Sequence, residues 1–292
     1  MNENLKVFFA AFLVSLPFWW GANLAQENLE DFLFWSRMAD SPELLLAQAA
    51  QEESLAKQKP IRNRQVEEPF FEAESVISVF VDKEGQDRVL FAKNIDRPLP
   101  LASITKLMTA LVVLEYYDLE SSETARLLYS MLIASDNDAA GDLAEIVGKD
   151  AFLELMNYEA QKLGLSNTHF FNPSGLDLES EKSPELSDKI NYSTTEDLVK
   201  LARYISEEHP LVWEISSITA FEGSVTTNEL LQEFPKIIGG KTGKTDRAKE
   251  CLLLVLKPKV GRGQVVNVIL SSNDRFGDMR KLVEWVNSAY RW

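Results

Sequence analysis

Apolar and polar positions divide the chain into three zones. From Val7 to Gln26 no residue is charged, and from Glu27 to about Glu72 Leu-rich pieces give way to Gln, Glu, Lys and Arg. Only from Ser75 onward do apolar residues recur with a regular period. Ser75-Val76-Ile77-Ser78-Val79-Phe80-Val81 and Arg88-Val89-Leu90-Phe91 are β-branched or apolar runs separated by Asp82-Lys83-Glu84-Gly85, which predicts a hairpin. After Pro98 and Pro100 the period changes. Ile104, Leu107, Met108, Leu111 and Leu114 fall on one helical face, and proline disfavours helix at the residue before it, so a buried helix is expected to begin near Ser103. Helical spacing returns over residues 124–134, 139–147, 151–163 and 195–205, with a loop at Asn172-Pro173-Ser174-Gly175. Residues 237–245, 251–257 and 264–272 read as three strands, and 279–290 as a closing amphipathic helix.

Two strands before the helices and three after them predict an α+β fold. One five-stranded antiparallel sheet is built from N- and C-terminal segments and flanked by helices, with a mainly helical subdomain inserted. The domains expected are 1–26, a membrane anchor or signal peptide; 27–72, a juxtamembrane helix and polar linker; and 73–292, the α+β domain.

The first zone is about the length that spans a bilayer. A cleaved signal peptide needs small residues at −3 and −1, yet cutting after Ala25 puts Asn23 at −3 and cutting after Ala22 puts Trp20 there. A retained anchor is therefore the better reading, with Trp19 and Trp20 at the outer interface. Lys6 precedes the run and Glu27, Glu30 and Asp31 follow it, which leaves the N-terminus in the cytoplasm and the rest of the chain outside. Eleven acidic against five basic side chains between Gln26 and Ser75 make the linker a solvated tether.

A net charge of −15 without a basic cluster argues against nucleic acid as a partner. The single cysteine, Cys251, lies in an apolar run and forms no intrachain disulfide; it reads as a buried thiol. With only His169 and His209, and no zinc-type spacing, no metal or cofactor is expected; an all-carboxylate calcium site stays open.

The chemistry starts at Ser103-Ile104-Thr105-Lys106. Residues three apart share a helix face, so the Lys106 amine can lie beside the Ser103 hydroxyl, and the unpaired N–H groups of a first turn suit developing negative charge. A serine is a poor nucleophile until a base takes its proton, and a neutral lysine can be that base. Lowering a lysine pKa from about 10.4 to near 7 disfavours the ammonium by roughly 4 to 5 kcal/mol, which burial and a second cation can supply. Ser54-Leu55-Ala56-Lys57 repeats the spacing in a charged segment with no apolar helix behind it, so the spacing alone decides nothing.

Order decides more. Ser103-x-x-Lys106, Ser135-Asp136-Asn137 and Lys241-Thr242-Gly243 follow one another, accompanied by Phe171-Asn172-Pro173-Ser174-Gly175-Leu176, Tyr192-Ser193-Thr194-Thr195 and Thr227-Asn228-Glu229-Leu230-Leu231. From about Ser75 to Trp292 the chain resembles the penicillin-recognising serine acyl transferases, and among them the D-alanyl-D-alanine carboxypeptidases. The resemblance implies a β-lactamase/transpeptidase-like fold and peptidoglycan stem peptides ending in D-Ala-D-Ala as substrate. It also implies β-lactam antibiotics as ligands. Ser103 would attack the carbonyl between the two D-alanines, Lys106 serve as base with Lys241 as the second cation, and Ser135 pass a proton to the departing amine. Asn137 would bond Lys106 and the substrate amide, and Lys241 and Thr242 would hold the terminal carboxylate. The N–H groups of Ser103 and Lys244 would form the oxyanion hole, each donor worth about 3 kcal/mol. Gly243 suits a strand edge along which an extended peptide lies. Asn172, Pro173 and Gly175 read as a structural turn, and His169 and Tyr192 as packing or loop residues.

Three departures from the family pattern stand out. Only 32 positions separate Ser103 from Ser135, which predicts a more open cleft. Asp136 replaces the usual glycine and places a negative charge near the two lysines, a change that raises a lysine pKa. Lys249 and Glu250 stand where small residues commonly follow the third motif. A D,D-endopeptidase of cross-linked muropeptides, a β-lactamase and a non-catalytic peptidoglycan-binding protein are the alternatives. No Glu-x-x-x-Asn loop favours the β-lactamase, and no Gly-x-Ser-x-Gly elbow favours a Ser-His-Asp hydrolase.

Overall fold

A computed structural model describes residues 60–82, 87–117, 121–177 and 189–292. The charge-free segment 7–26, the linker up to residue 59, the Ser54–Lys57 repeat and the hairpin turn at 83–86 lie outside the described residues. Among those described, no helix is long and apolar enough to cross a membrane.

In chain order the first strands are β1 (Ile61–Arg62), β2 (Ser75–Val81), β3 (Arg88–Lys93) and β4 (Leu99–Pro100). A 3-10 turn, Ala102–Thr105, leads into α1 (Lys106–Tyr116), then α2 (Ser122–Ile133), α3 (Asn137–Glu145) and α4 (Lys149–Lys162). β5 (Tyr192–Ser193), α5 (Thr195–Glu208), α6 (Leu211–Ser216) and the small β6 (Ala220–Phe221) and β7 (Ser224–Val225) follow. β8 (Ile237–Thr245), β9 (Lys249–Leu256), β10 (Gln264–Ser272), α7 (Arg275–Ala289) and β11 (Tyr290–Arg291) complete the chain.

The five-stranded antiparallel sheet runs β3-β2-β10-β9-β8, with strands from both ends of the domain as its sequence pattern predicts. Both faces are covered, which explains why β9 reads as an unbroken apolar run. Cys251, Leu253 and Val255 enter the core beneath α1–α5, and Leu252, Leu254 and Leu256 enter the second core beneath α7. A strand alternates its side chains, so two buried faces need both sets apolar. Ser78 and Asn267 are buried opposite each other, and the Ser78 hydroxyl donates to Asn267 Oδ1 at 2.7 Å, which satisfies two polar groups inside the sheet.

Helix α1 is buried on every side, from Lys106 through Val113. Such a helix is central, and here it lies against α2, α3, α4 and α6. It starts three residues later than the periodicity suggests. Ser103 sits in the tighter 3-10 turn, where the Ile104 N–H bonds the Leu101 carbonyl at 3.2 Å, because Ala102 turns the chain with φ +46°.

Residues 60–72, expected as linker, are structured. β1 pairs with β11, the Trp285 indole donates to the Glu67 carbonyl at 2.7 Å, and Phe71 is 1% exposed in the second core. Isolated apolar residues among charges carry no periodic signal; the β11 and Trp285 partners of this segment lie 218 to 230 residues away at the other terminus. α6 and the β6–β7 hairpin are too short to show a period, and the sequence reading did not separate them.

Candidate active site

Among the described residues β8 is an edge strand of the sheet, and the 3-10 turn carrying Ser103 lies against it. A Cβ on Gly243 would sit 2.9 Å from the Leu101 carbonyl oxygen and 3.1 Å from the Ser103 nitrogen, so only glycine lets strand and turn approach this closely. The opposite wall is the loop Asn172–Gly175. Asn172 Oδ1 accepts N–H bonds from Ser174 and Gly175, and Gly175 adopts φ +82° against the Ala102 carbonyl. The Thr109 hydroxyl donates to the Pro173 carbonyl at 2.6 Å, and the Asn191 amide ties the Asn172 carbonyl to Thr105 Oγ1. This turn is structural, as expected, yet it also reaches the amine of Lys106.

Lys106 is fully buried, and its Nζ has three acceptors: Ser103 Oγ at 2.9 Å, Asn137 Oδ1 at 2.7 Å and the Ser174 carbonyl at 2.8 Å. Burial pushes its ammonium down to about 7, against the opposing charge of Asp136. A neutral amine has two N–H donors and one lone pair, so two acceptors can take the protons while the lone pair faces the Ser103 hydroxyl.

Ser135 precedes α3 in the left-handed region, at φ +60°, and its Oγ accepts from Lys241 Nζ at 2.8 Å. Lys241 is 1% exposed, and its Nζ also donates to the Thr242 carbonyl at 3.0 Å. Burial drives the Lys241 ammonium well below its ordinary range, and the charges of Lys106 and Arg275 add to the effect. Arg275 also donates to the Gly243 carbonyl at 2.9 Å, behind the strand edge.

Asp136 is the N-cap of α3. Its Oδ1 accepts the Asp138 and Ala139 N–H bonds at 3.0 and 3.2 Å, and Oδ2 accepts the Ser130 hydroxyl at 2.8 Å. Burial alone would raise its carboxyl, but these bonds and Lys106 outweigh that and hold it below its ordinary value. Asp136 therefore stays charged beside Lys106, as the sequence suggests, while its cap bonds keep part of that charge occupied.

The chain thus brings Ser103, Lys106, Ser135, Asn137, Lys241, Thr242 and Gly243 to one place. The Lys244 side chain instead points outward to Glu250, at 2.7 Å. Ser174, Arg275 and Thr227, whose hydroxyl lies 2.5 Å from that of Thr242, were not singled out by the sequence reading. The Asn-Pro-Ser-Gly turn and the Thr-Asn-Glu-Leu stretch were the available signals for two of them. Among the described residues no cluster of three or more His, Cys, Asp or Glu could hold a metal ion.

The model of the D-alanyl-D-alanine carboxypeptidase family, peptidase family S11, matches residues 62–123 and 119–274. A D-alanyl-D-alanine endopeptidase of Pseudomonas aeruginosa is 31% identical over 253 residues, covering 73% of this chain and 77% of the relative. The D-alanyl-D-alanine carboxypeptidase DacF of Bacillus subtilis is 28% identical over 265 residues, or 74% of this chain and 63% of the relative. Penicillin-binding protein D2 of Listeria monocytogenes, solved with ampicillin bound, superposes with a TM-score of 0.64 at 30% identity, covering 76% of this chain and 99% of that one.

Proposed function

The chain belongs to the D-alanyl-D-alanine carboxypeptidase family of serine peptidases, and from that premise we propose that it releases the terminal D-alanine of peptidoglycan stem peptides through a Ser103 acyl-enzyme. The observation that carries this reading is the buried Lys106 amine 2.9 Å from Ser103 Oγ, with a pKa near 7. In this mechanism neutral Lys106 takes the Ser103 proton as Oγ attacks the penultimate carbonyl, and the oxyanion is held by the N–H groups of Ser103 and Lys244. Collapse expels the D-alanine amine, which takes the Ser135 hydroxyl proton; the Lys106 ammonium replaces that proton on Ser135 and returns to the neutral amine. Lys241 and Thr242 hold the leaving carboxylate, and Asn137 anchors both Lys106 and the substrate amide. Water, deprotonated by Lys106, then releases the acyl group and restores the hydroxyl.

The experiment is labelling of the full chain with a fluorescent penicillin, wild type beside Ser103→Ala, followed by assay of D-alanine release from a pentapeptide. Labelling of the wild type alone supports the assignment; labelling that persists in the mutant overturns it. A second reading, endopeptidase cleavage of cross-linked muropeptides, is favoured by the Pseudomonas relative, which is a D-alanyl-D-alanine endopeptidase. Faster cleavage of a cross-linked dimer than of the pentapeptide would select it.

We place the catalytic domain on the extracytoplasmic face, held by residues 7–26. The supporting features are the charge-free run, its flanking charges, and the substrate itself, which lies outside the membrane. Carbonate-resistant membrane association with protease accessibility from outside tests this.

A further inference from the structure

The hydroxyls of Thr227 and Thr242 lie 2.5 Å apart, and Thr242 belongs to the strand edge that would hold the substrate carboxylate. Each hydroxyl has one proton, so one of the two donates to the other. If Thr242 donates to Thr227, its proton points away from the groove and its lone pairs face an incoming carboxylate. If Thr227 donates, the Thr242 proton is free for that carboxylate, and the chain Thr227 to Thr242 to carboxylate is polarised in one direction.

Thr227 has a second attachment. Its backbone N–H bonds the Ile133 carbonyl at 3.3 Å, two residues before Ser135, and the Ser135 hydroxyl accepts Lys241 at 2.8 Å. One residue therefore closes a ring through the second and third motifs: Ile133, Ser135, Lys241, Thr242 and back to Thr227. Next to it, Asn228 is 3% exposed and caps the 3-10 turn Glu229–Gln232, accepting the Leu230 N–H, which anchors the segment independently of any ligand.

We infer that Thr227 is a positioning residue that orients the Thr242 hydroxyl proton toward a carboxylate-bearing substrate and so sets the preference for chains that end in a free carboxylate. The inference rests on the D,D-peptidase reading above. It predicts that leaving-group selectivity depends on Thr227, which the catalytic assignment by itself does not.

The test uses the full chain and a matched pair of D-alanyl thioesters, one whose thiol leaving group ends in a carboxylate and one in which that carboxylate is an amide. The expected result is that Thr227→Val and Thr227→Ala lower the carboxylate-to-amide ratio of kcat/KM roughly tenfold, mostly through KM, because the Thr242 proton is no longer held toward the carboxylate and its charge-assisted bond weakens. Thr227→Ser restores the ratio. All three keep the backbone bond to Ile133, and thermal unfolding of each variant separates misfolding from altered preference. An unchanged ratio in a folded Thr227→Val or Thr227→Ala variant overturns the inference while leaving the catalytic reading intact. A wild type that cleaves neither thioester and binds no penicillin overturns both.

Discussion

Lys241 donates to the Ser135 hydroxyl oxygen at 2.8 Å, joining a sheet edge to a helix N-terminus that lies 106 positions earlier in the chain. Both groups are held by unusual backbone or burial: Ser135 at positive φ, Lys241 inside the protein. Strain of this kind persists where the surroundings over-determine it, and it clusters at working sites. Lys241→Met is therefore expected to lower kcat/KM on a D-Ala-D-Ala peptide by about 100-fold, with a raised KM. Steady-state kinetics check it; an unchanged KM would remove Lys241 from carboxylate binding.

With Lys106 near 7, the amine gains its lone pair as pH rises through that value. kcat/KM should rise with pH to a plateau above about 8. Asp136→Asn keeps an N-cap side chain but removes the negative charge that favours the ammonium, so the rising limb moves to lower pH while stability changes by less than about 0.5 kcal/mol. A pH–rate profile of both proteins decides this. A limb that moves upward would contradict the electrostatic account.

Burying Lys106 also makes a pH-dependent contribution to stability. Its folded pKa lies below its unfolded value, so between about pH 7 and 10 the unfolded chain binds the extra proton. Stability of the wild type relative to Lys106→Met should rise by about 1 kcal/mol per pH unit across that window, and stay level below it. Chemical denaturation at pH 6, 8 and 9.5 measures the difference.

Gly175→Ala is expected to cost at least about 2 kcal/mol, because its Cβ would lie 1.9 Å from the Ala102 carbonyl oxygen at φ +82°. The displaced loop also withdraws the Ser174 carbonyl from Lys106, so penicillin acylation should slow together with the fall in Tm. Loss of stability with unaltered acylation would separate the loop from the site.

A chain that begins at Ala73 should be much less stable than one that begins at Gln58, although both contain the three motifs. It loses Phe71 from the second core, the Trp285 bond to Glu67 and the β1–β11 pairing. Removing the Phe71 side chain alone, as Phe71→Ala, is expected to cost about 3 kcal/mol or more. Equal midpoints in urea for the two chains would return residues 60–72 to the linker.

The five strands of the sheet and its central helix were legible in the sequence because their signals are local. β-branched runs at 75–81 and 264–272, an apolar run at 251–257 and helical spacing after Pro100 state their own periods. The ordered motifs likewise named Ser103, Lys106, Ser135, Asn137 and Lys241. What the sequence could not state was anything that depends on two distant segments meeting. The Ser174 carbonyl on Lys106, the Thr227 hydroxyl on Thr242 and the Ile61 pairing with Arg291 use backbone groups or ordinary side chains that carry no pattern of their own. The charge state of Lys106 belongs to the same class. Its residue type and spacing make it a possible base, but the burial that lowers its pKa, and the cap bonds that moderate Asp136, exist only after α1, α3 and the Asn172–Gly175 loop close around it. A pKa is set by surroundings, and surroundings are tertiary.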